Sequence, residues 1–268
     1  MRLISRLLHP AASIAGLALC LNLAAAQAPD PWRSAPDLID LISPGVLDKG
    51  TRSARFDFRA FQGDEGIGYA GVALRYSVSG RLEADFAGDF GDRGAFGNGE
   101  GHVIRHGGAD GEFSMRYQLP WPLETSIQAG IAIGDTPAQD SRVAAIAGLS
   151  IAYPISPQVD VFVNPRVVAL DSNSLVGLGF GASVKLSTKL SVVGDWTPLL
   201  AGNNTVDPST GLMKRSQLYS AGLRIDRIGP GTFVDVGYTN ATGLTTGFGL
   251  TPGLGNSGAF FVSLTCRR

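Results

Sequence analysis

From residue 51 to its end, the chain alternates apolar and polar residues in short segments separated by Gly, Asn, Pro or Asp. In the first segment, Phe56 and Phe58 alternate with Arg55, Asp57 and Arg59. Because successive side chains of a β-strand point to opposite sides, each such segment has one apolar face and one charged face. A closed barrel of such strands satisfies its own backbone hydrogen bonds while its apolar faces meet lipid. The pattern therefore predicts an all-β, transmembrane antiparallel β-barrel of about twelve strands, an even number as in closed bacterial barrels.

The predicted strands are about as long as a tilted strand must be to cross a bilayer, roughly 9–11 residues. They lie near residues 53–61, 67–78, 81–90, 112–119, 123–133, 142–153, 158–168, 177–186, 190–197, 217–226, 232–240 and 259–266.

The connections between these strands alternate in length. Every even-numbered strand is followed by a short turn, whereas the long loops 91–111, 198–216 and 241–258 all follow odd-numbered strands. Outer-membrane barrels have short periplasmic turns and longer extracellular loops, so the long loops are predicted to be extracellular. A secreted, soluble β-domain is the alternative, but it has no reason to sort its loops in this way.

The N-terminus has the pattern of a secretory signal peptide, predicted over residues 1–26. Arg2 and Arg6 precede an almost wholly apolar stretch at 11–24, and small residues suitable for cleavage follow it. The apolar stretch is shorter than the roughly 20 residues that a transmembrane helix needs. Residues 27–50 are then predicted to form a periplasmic N-terminal segment, and residues 51–268 the outer-membrane barrel.

Composition excludes two other classes of protein. The mean hydropathy of +0.13 is too low for a bundle of membrane helices, and the net charge of −1 argues against nucleic acid as a partner. Charged residues make up 17% of the chain, below the roughly 25% of soluble domains.

Two stretches resemble strands of bacterial outer-membrane β-barrel proteins, specifically a small, porin-like and poorly characterised group. They are Leu-Ser-Val-Val-Gly-Asp-Trp-Thr-Pro at 190–198 and the last hairpin, from 237–243 to 259–264. The resemblance implies a Gram-negative cell outer membrane, contact with its lipid, and insertion by the barrel-assembly machinery. In that group an aromatic residue usually ends the chain. The barrel-assembly machinery reads that aromatic residue as an insertion signal. Here the last residue is Arg268, and Phe260 and Phe261 would supply the insertion signal from within the last strand.

Strand parity predicts which charged residues line the lumen. The predicted lumen-lining residues are Arg55, Asp57, Arg59, Arg75, Glu83, Asp85, Asp89, Glu112, Arg116, Glu124, Arg142, Asp160, Arg166, Lys185, Asp195, Arg224 and Asp235. Arg forms planar, bidentate pairs with carboxylates, so one interpretation is a structural ion-pair network that fills the barrel. The other is a constriction that selects permeants by its field.

A catalytic site finds little support in the sequence. His102 and His106 are the only histidines after the predicted signal peptide, so a hydrolase would need them, with Ser141, Asp135 or Asp140 on a neighbouring loop. No nucleophile or cofactor motif accompanies them. Their i, i+4 spacing could hold a metal on a helix, with Glu100 and Asp110 nearby, but the surrounding glycines oppose a helix and favour a solvated loop. We therefore predict that the protein is not an enzyme and has no cofactor and no metal site.

The predicted function is a narrow pore or transport channel for small polar solutes. One alternative is a non-conducting structural or assembly barrel with a periplasmic partner bound through residues 27–50. A surface-facing outer-membrane hydrolase has the least support. The sequence leaves open the oligomeric state and whether the glycine-rich stretch 91–111 folds inward as a plug.

Overall fold

The computed structural model describes residues 38–61, 68–97, 103–134, 143–169, 173–207, 209–229, 231–253 and 256–268. Its strands are β1 (Arg52–Phe61), β2 (Gly68–Ser79), β3 (Leu82–Gly97), β4 (Val103–Gln118), β5 (Glu124–Gly134), β6 (Val143–Ser156), β7 (Val159–Ala169), β8 (Leu175–Lys185), β9 (Leu190–Thr197), β10 (Leu199–Ala201), β11 (Thr205–Val206), β12 (Met213–Lys214), β13 (Leu218–Gly229), β14 (Thr232–Thr239) and β15 (Ala259–Arg267).

Twelve of these strands, β1–β9 and β13–β15, form one closed antiparallel barrel. Each pairs with its neighbour along the chain, β9 pairs with β13, and the last strand closes on the first. Asp57 in the middle of β1 lies opposite Ser263 of β15 on one side and Gly71 of β2 on the other. Closure leaves no strand edge unpaired in the wall. The predicted fold class is confirmed.

The two ends of the barrel differ, as the loop lengths predict. Short turns at 80–81, 157–158 and 186–189 lie at one end, which we call the turn end, and longer connections lie at the other, the loop end. The stretch 91–111, expected to be one long loop, is mostly strand. β3 continues to Gly97 and β4 begins at Val103, so the paired wall extends well into this stretch. Backbone pairing between the two strands continues across the glycines.

The connection from β9 to β13 carries the three short strands. β10 adds to β8 at the loop end, and β11 and β12 form a small hairpin. In this hairpin the hydroxyl and N–H of Ser209 donate to the Asp207 carboxylate and lower its pKa to about 2. A single 3₁₀ turn lies at Phe248–Leu250. No helix among the described residues has the length and hydropathy needed to cross a membrane.

The outward face of the wall is apolar. Phe58, Leu74, Phe86 and Ile131 belong to a broad set of large apolar side chains that are exposed on the strands. An exposed apolar surface of this extent in a water-soluble protein would be exceptional, whereas it suits a lipid-facing barrel.

The interior is divided into two halves of different chemistry. β1–β4 and β13–β15 turn most of the buried charges inward, among them Arg59, Arg116 and Asp235. β6–β9 turn inward mainly apolar or small residues, such as Ile146 and Phe162. The interior therefore offers a charged surface on one side and an apolar surface on the other.

Candidate functional site in the barrel interior

The structure places most of the predicted lumen-lining residues out of contact with solvent. Those that are buried are Asp57, Arg59, Glu83, Asp85, Asp89, Glu112, Arg116, Arg166, Asp195, Arg224 and Asp235. Those that are half-buried are Arg55, Arg75, Glu124, Asp160 and Lys185. Arg142 lies outside the described residues.

Several of these residues pair across neighbouring strands. Arg224 of β13 donates to both carboxylate oxygens of Asp235 of β14, at 2.7 and 2.8 Å. Arg116 of β4 lies 2.9 Å from Asp85 and 3.5 Å from Glu83, both on β3. Such bidentate and bridging pairs satisfy charges that would be costly to bury alone.

The interior is not empty, because residues 38–47 lie inside the barrel. We call residues 38–47 the inner segment. Leu38, Ile39, Leu41 and Leu47 of this segment are buried. The periplasmic location predicted for 27–50 stays a prediction, and the structure places residues 38–47 of that stretch within the barrel. Residues 1–37, including the predicted signal peptide and the remainder of that segment, lie outside the described residues.

The inner segment is bound by the charged half of the wall through its backbone. Arg55 donates to the carbonyl of Ile39 at 3.0 Å, and Arg116 donates to that of Ser43 at 3.0 Å. Glu83 accepts a hydrogen bond from the Leu47 N–H at 3.0 Å. Wall charges thus take the place of the backbone partners that a strand or helix would provide.

The other half of the wall receives the leucines of the inner segment in a groove. β8 turns three glycines inward at alternate positions, Gly177, Gly179 and Gly181. A Cβ at Gly179 would overlap the side chain of Leu41, and one at Gly181 would overlap that of Leu38. We call this strip of β8 the glycine groove, because the absence of side chains is what allows the segment to pack against the wall.

A second stretch, residues 240–253 between β14 and β15, also folds inward. We call it the inward loop. Three wall carboxylates bind its first turn: Asp89 accepts from the Thr245 N–H at 2.9 Å, Asp110 from the Thr245 hydroxyl at 2.7 Å, and Glu112 from the Thr246 hydroxyl at 3.0 Å. Its Leu250 side chain reaches the glycine groove at Gly177. The long loop of this hairpin therefore closes the interior from the loop end.

The inner segment and the inward loop meet at Asp40. The Asp40 carboxylate lies 2.9 Å from Nη2 of Arg59 and accepts a hydrogen bond of 2.6 Å from the Thr239 hydroxyl. Arg166 donates to the Asp40 carbonyl at 3.0 Å, and the Asp40 N–H donates to Asp195 at 3.2 Å. Arg59 also donates to the carbonyl of Ala241 in the inward loop, at 2.6 Å. We call these groups around Asp40 the Asp40 site.

Sequence reasoning missed Asp40, Thr239 and the glycine groove. Asp40 and Thr239 carry no motif, and only the tertiary structure brings them within hydrogen-bonding distance. The run Gly177-x-Gly179-x-Gly181 was a usable signal, since glycine at every second position of a strand leaves one face without side chains.

The structure describes few of the residues considered for catalysis or metal binding. His102, Asp135, Asp140 and Ser141 lie outside the described residues, and of His106 only the backbone, in β4, is described. Among the residues that are described, no group of three or more His, Cys, Asp or Glu is placed to hold a metal ion.

No protein-family model matches the chain, and no curated protein matches it. Among solved structures it is similar to the NanC porin, with a TM-score of 0.52 at 7% sequence identity, over 81% of this chain and 99% of the porin. It is also similar to an outer membrane channel from Pseudomonas putida F1, with a TM-score of 0.50 at 11% identity, over 84% of this chain and 97% of the channel. At these identities the likeness concerns the fold.

The closed barrel, its apolar exterior and these likenesses define the class of protein. It has the fold of the porin-like β-barrels of Gram-negative outer membranes, as the sequence predicts, and its apolar exterior fits a location in such a membrane. The solved structures that it resembles are named as a porin and a channel, not as enzymes.

Proposed function

We propose that the protein is a narrow outer-membrane channel for small polar solutes, closed in this conformation by the inner segment and the inward loop. The observation that carries the proposal is the way the inner segment is held. It is not a strand of the wall, and the side chains of Arg55, Arg116 and Glu83 bind its backbone through hydrogen bonds. A segment bound in this way can leave without breaking the paired wall, whose strands close on one another independently of it.

The names of similar structures support the same class of activity. NanC is named as a porin, and the Pseudomonas putida F1 protein as an outer membrane channel. The charged half of the wall would offer permeating solutes donors and acceptors, as channel linings do. Outer-membrane lipid would contact the apolar exterior, and the barrel-assembly machinery would insert the chain.

Planar bilayer recordings test the proposal. We expect the mature chain to conduct rarely and a variant lacking residues 38–47 to conduct more often, because the deletion removes one of the two segments that fill the interior. A difference in gel migration between boiled and unboiled samples would show that the variant still forms a barrel. Absence of conductance from both proteins, with the barrel intact, would contradict the proposal.

A second candidate is a non-conducting structural or assembly barrel, which the filled interior favours. In that case the inner segment is part of the permanent core, and residues 27–37 would lead to a periplasmic partner. Deletion of residues 38–47 should then prevent folding or strongly lower thermal stability. Neither the mature chain nor the deletion variant should conduct.

A further inference from the structure

The carboxylate of Asp40 occupies a binding site formed by the wall. Arg59 and Thr239, which contact its two oxygens, belong to β1 and β14, whereas Asp40 belongs to the inner segment. A cation and a hydroxyl donor placed on different oxygens of one carboxylate are a common means of recognising that group. Arg59 is fully buried, so its charge acts in surroundings that screen it little.

Arg166 adds donors that the inner segment does not use. Its Nη1 donates to the Asp40 carbonyl, but its Nε and Nη2 are buried with no hydrogen-bond partner among the residues that the structure describes. Arg166 is 2% exposed, so water does not replace those partners freely. A buried guanidinium with unused donors is unfavourable unless another ligand can pair with it.

The site also has an acceptor. Asp195 now accepts the Asp40 N–H at 3.2 Å, and it would accept an N–H or O–H of another occupant equally well. A carboxylate that takes the place of Asp40 leaves the charge of the site unchanged, because one negative group replaces another.

We propose that the Asp40 site is the solute-binding site of the channel, and that its solutes are small carboxylates bearing an N–H or O–H donor. This inference rests on the proposed function. Asp40 competes with solutes for this site. While the Asp40 carboxylate binds Arg59 and Thr239, the site is closed. A solute carboxylate that binds Arg59, Thr239 and Arg166 displaces Asp40 and releases the inner segment.

Chemical rescue tests the site without any transport measurement. The variant Asp40→Gly removes a group equivalent to acetate and should lower the thermal midpoint of the refolded protein in detergent. Acetate should recover most of that loss, whereas acetamide and chloride at the same concentration should not, since acetamide lacks the charge and chloride the paired oxygens. Recovery by chloride as large as that by acetate, or no recovery, would overturn the proposal.

Matched variants assign the effect to the site. In the Asp40→Gly background, Arg166→Gln and Thr239→Val should abolish the response to acetate, and Arg52→Gln, on the exposed start of β1, should preserve it. Asp40→Asn fills the same space as aspartate, so acetate should not stabilise it. A response to acetate that survives in Arg166→Gln and Thr239→Val would also overturn the proposal.

Uptake into proteoliposomes separates this inference from the channel itself. Glucuronate and glucose have the same ring, and only the first carries a carboxylate. We expect glucuronate uptake to exceed glucose uptake by about tenfold, the ratio that one charge-assisted contact of about 1.4 kcal/mol produces. Equal uptake of both solutes would support the channel and overturn its carboxylate specificity. Rescue by acetate without uptake of either solute would support the site and overturn the proposed function.

Discussion

Arg59 joins the three parts of the closed interior. Its guanidinium binds Asp57 on its own strand, Asp40 of the inner segment and the carbonyl of Ala241 in the inward loop. Each of these partners is itself buried. When one member of a buried charge cluster is removed, the remaining charges lose their compensation, which costs more than the pair contributes in total.

We therefore expect Arg59→Ala to destabilise the protein strongly. If the interior is dry, the free energy of unfolding should fall by on the order of 3–5 kcal/mol. In a wet, open pore it should fall by about 1 kcal/mol or less, and the ion preference of the pore should shift toward cations. Thermal unfolding in detergent and bilayer reversal potentials measure the two outcomes. Arg55→Ala, whose side chain is 11% exposed, should cost less than Arg59→Ala, and Arg52→Ala serves as the exposed control. A change in neither stability nor conductance would contradict the inward position of Arg59.

At the scale of elements, β8 shows how one strand serves two surfaces. Its outward residues include the exposed Phe180, which stacks on Trp196 of β9, and its inward positions form the glycine groove. The wall pairing of β8 to β7 and β9 uses backbone atoms and does not depend on the inward side chains.

The double variant Gly179→Val, Gly181→Val should expel the inner segment while leaving the barrel closed. The new side chains would occupy the space of Leu41 and Leu38, and overpacking of this kind typically costs about 1–3 kcal/mol. We expect higher single-channel conductance with the heat-dependent gel shift retained. Gly148→Val is the matched control, because a Cβ there meets its nearest neighbours at 3.7 Å. Conductance that rises as much in Gly148→Val as in the double variant would argue against a specific groove.

At the scale of the whole molecule, the barrel has a direction. Its first strand begins and its last strand ends at the turn end, and the loop-end connections include the hairpin of β11 and β12. In outer-membrane barrels the short turns are periplasmic, so we expect the loop end to face the outside.

Labelling on intact cells tests this orientation. A cysteine introduced by Ser209→Cys, in the exposed loop between β11 and β12, should react with an impermeant maleimide. A cysteine introduced by Ser79→Cys, exposed at the turn end, should react only after the outer membrane is permeabilised. The reverse pattern would invert the orientation.

The sequence alone determined the wall. Alternation of apolar and polar residues, as in Phe56, Asp57, Phe58 and Arg59, is a local property that follows from strand geometry. It predicts the number and order of the barrel strands and the sorting of loop lengths, although β3 and β4 extend beyond their predicted bounds into 91–111. The predicted β9, 190–197, and the structure agree at both ends. Lumen-lining roles stay predictions, although parity correctly separates buried Asp57 and Arg59 from exposed Phe58.

Only the tertiary structure decided what fills the barrel. Residues 240–253 are rich in glycine and threonine, whereas residues 38–47 are mostly apolar, and neither stretch has the alternation of a strand, so neither sequence specifies where it packs. Their position depends on groups far away in the chain, such as Asp40 with Thr239 and Thr245 with Asp110. The physical reason is that a segment without regular structure is buried only when an enclosing wall satisfies its backbone polar groups, and that wall exists only after the barrel has closed.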